Sequence, residues 1–330
     1  MKRSTYSLSR ILSFLLPLTP CLSPLFVSCE YKDLCYDHNH TGDVTINFDW
    51  AKEPDTRVDG MTVLFYNVDA PQSEPLRYDF AGMDGGHARL QPGTYRAMAY
   101  NYDTETILYR GLDAHNLLEA YTRNSSIEEG TQLSRSGMPR AANTEDEPVI
   151  LEPDPLYGTC SEPFTVPANG QCSVTMLPES RVTELEIIIT NVPNLQYSSQ
   201  FGGALSGLAP SVWMESGIPG DGHVTQAFTA TVVGESTLEM HTRIFGHCAD
   251  VDWPHLLTIY AILADGNKWY YVVDVTDQMH PEDEPDPSDH DREIVITLDE
   301  LPVPKPIVNG SGFQPTIDGW QGVEIDVKMD

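Results

Sequence analysis

The sequence predicts an all-β protein built as two tandem β-sandwiches, and three observations carry that reading. Apolar residues recur with a period of two in short runs, the mark of a strand with one face in a core. The chain holds 24 Gly and 25 Pro among 330 residues, and these turn formers separate the runs at regular intervals. No amphipathic helical pattern of convincing length interrupts them. A chain of this size suits two domains better than one.

The first forty residues stand apart. Lys2, Arg3 and Arg10 give a basic start with no acid before Glu30. An apolar stretch, Ile11 to Leu18, follows, and Pro17 and Pro20 break it. This is the layout of a secretory signal, too short and proline-broken to cross a bilayer of roughly 30 Å as a helix. Phe26-Val27-Ser28-Cys29 resembles the bacterial lipobox, in which the cysteine becomes the lipidated first residue of the mature chain. Residues 1–28 are therefore expected to be a lipoprotein signal peptide and 29–40 a tether lipidated at Cys29. Several acyl chains give stable anchoring, at roughly 0.8 kcal/mol per buried methylene. Glu30-Tyr31-Lys32-Asp33 resembles, in part, the export tag of surface lipoproteins in anaerobic Gram-negative bacteria. The expected location is the outer membrane, lipid-anchored and surface-exposed.

The strands come next in order. In GDVTINFDW, Val44, Ile46, Phe48 and Trp50 alternate with Thr45, Asn47 and Asp49. MTVLFYNV (61–68), LRYDF (76–80), HARL (87–90), GTYRAMAYNY (93–102) and TILYR (106–110) follow, with a short helical or looped excursion at 113–121. These place an N-terminal sandwich at 41–150, ending in a polar stretch (123–149) that reads as a linker or a long mobile loop. The C-terminal sandwich, 151–330, has runs at 171–177, 182–192, 224–233, 236–245, 256–264, 268–275, 293–298 and 323–329. Asp265-Gly266 between two of them is a strong hairpin signal.

Charge and motifs narrow the function. The formal net charge is −30, and loss of residues 1–28, with three basic and no acidic side chains, takes it to −33. Such a polyanion repels phosphate backbones, so nucleic acid is excluded as a partner. Export permits disulfides, and Cys160 and Cys172 are close enough in sequence to clip one hairpin or loop, although spacing does not establish connectivity. Cys35, His38 and His40 lack a fourth zinc ligand and read as polar tether. Of His241, His247 and Cys248, His241 shares a strand face with Arg243 while His247 lies past the strand end. The carboxylate-rich run 279–293 lacks the glycine and terminal glutamate of an EF-hand and reads as a solvated loop, with calcium as the other reading. No nucleophile elbow, HExxH, P-loop or dinucleotide fingerprint appears. The sequence thus assigns no catalytic residue, metal or cofactor.

One resemblance remains. LEPDPLYG (151–158), GGALSGLA (202–209), RIFGH (243–247) and the closing GWQGVEIDVKM (319–329), with GTYRAMAYNYDTETILYRG (93–111) upstream, resemble a family of surface lipoproteins related to FimB-type fimbrillin anchors. The resemblance implies transthyretin-like or immunoglobulin-like sandwiches and a non-enzymatic anchor or accessory subunit of a fimbria-like assembly. It also implies partners of fimbrillin type joined by strand pairing. The alternative is a glycan-binding surface lipoprotein, for which Trp213, Trp253, Trp269 and Trp320 are the candidate aromatic platforms.

Overall fold

The structure, a computed structural model, describes residues 41–133, 137–248, 253–281, 288, 290, 293–306 and 319–325. It is all-β. Alternation in the first run makes β1 (Gly42–Phe48), whose burial follows the sequence pattern with Val44, Ile46 and Phe48 inward. Next come β2 (Gly60–Asn67), β3 (Leu76–Ala81), β4 (Gly85–Leu90) and β5 (Gly93–Asn101). After them run β6 (Ile107–Arg110), β7 (Glu119–Thr122), a one-turn helix α1 (Ile127–Thr131) and β8 (Val149–Ile150). Four short strands follow: β9 (Tyr157–Cys160), β10 (Phe164–Val166), β11 (Gln171–Met176) and β12 (Glu179–Ser180).

The rest of the chain holds β13 (Thr183–Thr190), β14 (Ser198–Leu208), β15 (Ser211–Trp213), β16 (Val224–Thr229), β17 (Thr231–Val233) and β18 (Thr237–Ile244). Then come β19 (Leu256–Leu263), β20 (Lys268–Asp274), a short helix α2 (Thr276–Met279), β21 (Ile294–Asp299) and β22 (Trp320–Ile325). The Asp-Gly signal is a hairpin as expected, with Gly266 N–H donating to Leu263 O at 2.9 Å between β19 and β20.

The strands form two sandwiches and a small connecting sheet. In the first, β11-β1-β4 faces β12-β9-β5-β2-β3, and β10 also pairs with β5. Its core holds Val44, Ile46, Met61, Val63, Phe65, Leu90, Ala97, Ala99 and Met176. In the second, β17-β18-β13-β21 faces β22-β20-β19-β14-β16-β8 over Leu185, Ile187, Ile189, Leu205, Leu257, Ile259, Tyr271 and Ile296. The connecting sheet is β15-β7-β6. Leu64, Tyr66, Met98 and Tyr100 belong to the second core, whereas their neighbours Val63, Phe65, Ala97 and Ala99 belong to the first. β2 and β5 are thus covered on both faces. That is why they read as nearly continuous apolar runs rather than alternating ones.

Strand pairing crosses the boundary expected at 150/151. β9 and β10 pair antiparallel with β5, and β11 pairs parallel with β1 in the register Val44↔Cys172 and Ile46↔Val174. Residues 157–180 therefore complete the first sandwich, while β8 lies with the second, parallel to β16. Periodicity reports which face of a strand is buried, not which sheet receives it. From Thr41 onward the described residues form one compact unit.

The polar stretch 123–149 is, over its described residues, neither linker nor open loop. Ser126 caps α1 by accepting from Glu129 N–H at 3.1 Å, a Ser-x-x-Glu capping pattern. Ile127, Leu133 and Met138 then cover the outer face of β14, β16 and β19 against Ala204, Ala227, Tyr260 and Ile262. Arg140 is half-buried and donates to Glu147 O and Thr225 Oγ1, each at 2.6 Å. The buried Glu147 carboxylate accepts from Thr225 Oγ1 at 2.8 Å and Trp253 Nε1 at 3.2 Å. Three widely spaced apolar residues and a set of polar bonds hold this segment down, and neither carries a strand's period.

Candidate functional site

Two features of the second sandwich carry functional interest, and both sit on the sheet that contains β19 and β20. The first is its edge. β22 runs parallel to β20 in the register Lys268↔Trp320 to Val273↔Ile325 and is the last strand of that sheet among the described residues. Val323 and Ile325 are half-buried against the second core, and Glu324 faces solvent. Trp320 packs on the other face, edge-on to Tyr260 with ring centroids 5.5 Å apart. Gly322 lies close to the Tyr270 ring, and a Cβ there would stand 2.5 Å from it. The chain reaches this edge through the proline-rich stretch after β21. Leu301 and Val303 are buried there, and Asn194 Nδ2 donates to Val303 O at 2.7 Å. No residue of β22 is fully buried. It is a strand added to a finished core.

The second feature is a histidine cluster at one end of the same sheet. His247 follows β18, His255 immediately precedes β19, and His280 follows α2, which begins two residues after β20. The β19–β20 hairpin brings the last two together, with Val275 N–H donating to His255 O at 2.9 Å and His280 N–H to Thr276 O at 2.9 Å. One ring nitrogen from each of the three lies within 4.8 Å of the others. Nε2 of His255 and Nε2 of His280 are 2.9 Å apart. Nδ1 of His255 faces Ser206 O at 3.2 Å, and Nδ1 of His247 faces Cys248 O at 3.1 Å. Gly207, at φ +77°, makes room, since a Cβ there would come 2.8 Å from Nδ1 of His255. Burial, then the charges that His247 and His280 can carry, push the pKa of the buried His255 down to about 3, so it is neutral in ordinary buffers.

The residues singled out from the sequence are placed differently. Cys29, Cys35, His38 and His40 lie outside the described residues, as does most of the acidic run 279–293. Cys160 and Cys172 are free thiols rather than a bridged pair: Cys160 packs against the second core and Cys172 against the first. Burial, reinforced by Glu215, pushes the Cys160 thiol up to about 11, which leaves it protonated and unreactive. Of His241, His247 and Cys248, only His247 joins the cluster. His241 is exposed and pairs with Glu186 and Glu239 at 3.6 and 3.9 Å. His255 and His280 went unnoticed in the sequence because only the hairpin register unites them. The four tryptophans are all half-buried: Trp253 stacks on His223 at 3.8 Å, and Trp320 packs on Tyr260.

The family model described as Domain of unknown function (DUF5119) matches residues 28–229, more than half of the chain. A relative from Bacteroides ovatus, named as a candidate fimbrium anchoring subunit, Fim4B, is 25% identical over 362 aligned positions, covering 100% of this chain and 99% of that protein. A crystal structure of a candidate adhesin from Bacteroides ovatus superposes with a TM-score of 0.58 at 20% identity, over 80% of this chain and 94% of that one. The fimbrial anchor protein Mfa2 from Porphyromonas gingivalis aligns at 9% identity and a TM-score of 0.48, over 78% of this chain and 90% of that one. The resemblance to fimbrial anchor proteins seen in the sequence is therefore matched by an independent relative over its full length.

Proposed function

We propose that this chain, which belongs to the DUF5119 family, is a non-enzymatic anchoring or accessory subunit of a fimbria-like assembly at the cell surface. The observation that carries this reading is the match to a fimbrium anchoring relative along essentially the whole of both chains, rather than over one shared sandwich. The lipobox-like Phe26-Val27-Ser28-Cys29 supplies the attachment: a lipid on Cys29 holds the subunit in the outer membrane. β22 supplies a means of joining a partner. An edge strand whose main chain pairs on one side, with apolar side chains in shallow contact, is the kind of element that pairs with or yields to a strand of another subunit.

Two experiments test the two parts. Cys29→Ala is expected to leave an unprocessed or soluble chain, while Cys35→Ala keeps membrane attachment. A mature N-terminus elsewhere than Cys29 would sink the anchor. Deleting residues 322–330 is expected to preserve cooperative melting and to abolish co-purification of a fimbrillin-type subunit. Lost melting would make β22 integral to its own sandwich, and undiminished capture would remove it from assembly.

A further inference from the structure

We propose that His247, His255 and His280 form a three-histidine site for a divalent transition metal of the zinc class. The geometry argues this through hydrogen bonding. A backbone carbonyl only accepts, so Nδ1 of His255, facing Ser206 O at 3.2 Å, carries the proton and Nε2 presents its lone pair. Nδ1 of His247 likewise lies beside a carbonyl, Cys248 O at 3.1 Å. His255 thus has the tautomer and the carbonyl anchor that metal-ligating imidazoles nearly always show, and His247 has a carbonyl in the same place. The third, His280, points Nε2 at Nε2 of His255 from 2.9 Å. Without metal, that nitrogen donates its N–H to the His255 lone pair. With metal, Nε2 of His280 gives that proton up to water and turns its lone pair to the ion, as Nε2 of His255 does.

The distances suit this exchange. Tetrahedral zinc with Zn–N bonds of roughly 2.0–2.1 Å holds its nitrogens about 3.3 Å apart, so the 2.9 Å pair opens slightly. The other separations lie inside 4.8 Å and close by small ring movements. Imidazole nitrogens select zinc, copper or nickel over magnesium and calcium. Three protein ligands leave a fourth position for water or a carboxylate. Because the ligands come from the end of β18, the start of β19 and the end of α2, the ion would tie three segments of the second sandwich together. His255 is buried while His247 and His280 are half-exposed.

The test uses the full chain carrying Cys35→Ser, His38→Ala and His40→Ala, so that the tether cannot bind metal. Zinc chloride titrated by calorimetry is expected to give one tight site and a melting temperature that rises with zinc and reverts with EDTA. Cobalt(II) should give tetrahedral visible bands with no thiolate charge-transfer band. His280→Ala and His247→Ala, checked for folding by circular dichroism, should each weaken zinc binding by about 100-fold or more. Cys160→Ser, at the His115–Cys160–Glu215 group, should change nothing. Absence of zinc binding by the folded chain overturns the proposal. So does binding that survives both histidine substitutions, and so does a cobalt thiolate band.

Discussion

β1 and β22 alternate in sequence in the same way, and the fold uses them in opposite ways. β1 lies between β4 and β11, and its Val44 and Ile46 are 0% and 1% exposed. β22 has a single partner, β20, among the described residues, and its Val323 and Ile325 are only half-buried. Period two therefore tells which face a strand turns inward but not how deep that face goes. Depth is set by neighbours that lie far off in sequence: β11, which seals β1, is about 130 residues downstream. The first strand is sealed between two neighbours, and β22 leans on one among the described residues.

The largest expected effect comes from placing the same charge on each strand. Ile46→Asp puts a carboxylate where neither water nor a partner reaches it, at a cost above about 4 kcal/mol. Urea melts should show a first sandwich that no longer unfolds cooperatively. Ile325→Asp can turn its carboxylate toward solvent at the sheet edge and should cost about 1–2 kcal/mol. Equal losses from the two substitutions would erase the distinction between the strands.

Acid separates the two sandwiches next, because His255 lies at the head of β19, in the sheet that carries β22 and not in that of β1. Its folded pKa, about 3, is below the ordinary 6.5. Between those values the unfolded chain binds the extra proton, so stability rises with pH across the window. The contribution is complete above pH 6.5 and is lost as pH falls from 6.5 toward 3. In EDTA, the loss of urea resistance between pH 7 and pH 5 should be on the order of 1–3 kcal/mol. His255→Gln should flatten that slope, while His241→Gln, on an exposed ring, should keep it. An unchanged slope in His255→Gln would assign the acid sensitivity to other groups.

A smaller effect follows from Gly322→Val. The new Cβ lands 2.5 Å from the Tyr270 ring, and strand or ring must shift at about 1–2 kcal/mol. Hydrogen exchange should quicken in 320–325 while β19, in the middle of the sheet, keeps its protection. Faster exchange throughout β19 would mean that β22 is structurally coupled to the centre of the sheet after all.

Legibility in the sequence followed the same division. β1, β13 and β18 could be read because one face is wet and the other dry. β14 could not: burial runs unbroken from Phe201 to Leu208, and two adjacent glycines hide the strand. The return of 157–180 to the first sandwich was invisible because its strands are short and their pairing is non-local. Segment 123–149 reads as linker or loop because its anchors, the spaced Ile127, Leu133 and Met138 and the polar bonds of Arg140 and Glu147, leave no period. The histidine cluster was half seen. His247 stood out beside Cys248, but its partners sit 8 and 33 positions away, and only the β19–β20 hairpin brings them into reach.

The smallest expected effect concerns the wet face of β1. Asp43 pairs with Arg89 at 3.2 Å, but the side chains are 48% and 78% exposed. Beside them Thr45 meets His87 at 3.1 Å, and Asn47 donates to Ser173 at 2.9 Å. Water competes for each of these groups, and ordering two long side chains offsets much of the attraction. An exposed pair of this kind contributes about 0–1 kcal/mol, less at high salt. Asp43→Asn should therefore shift the urea midpoint by no more than Glu324→Gln does on β22, and 0.5 M salt should remove what difference remains. If the buried faces alone distinguish the strands, their wet faces must be interchangeable in this measurement. A loss above about 1 kcal/mol from Asp43→Asn would show instead that polar contacts across β1, β4 and β11 help to lock the N-terminal strand in place.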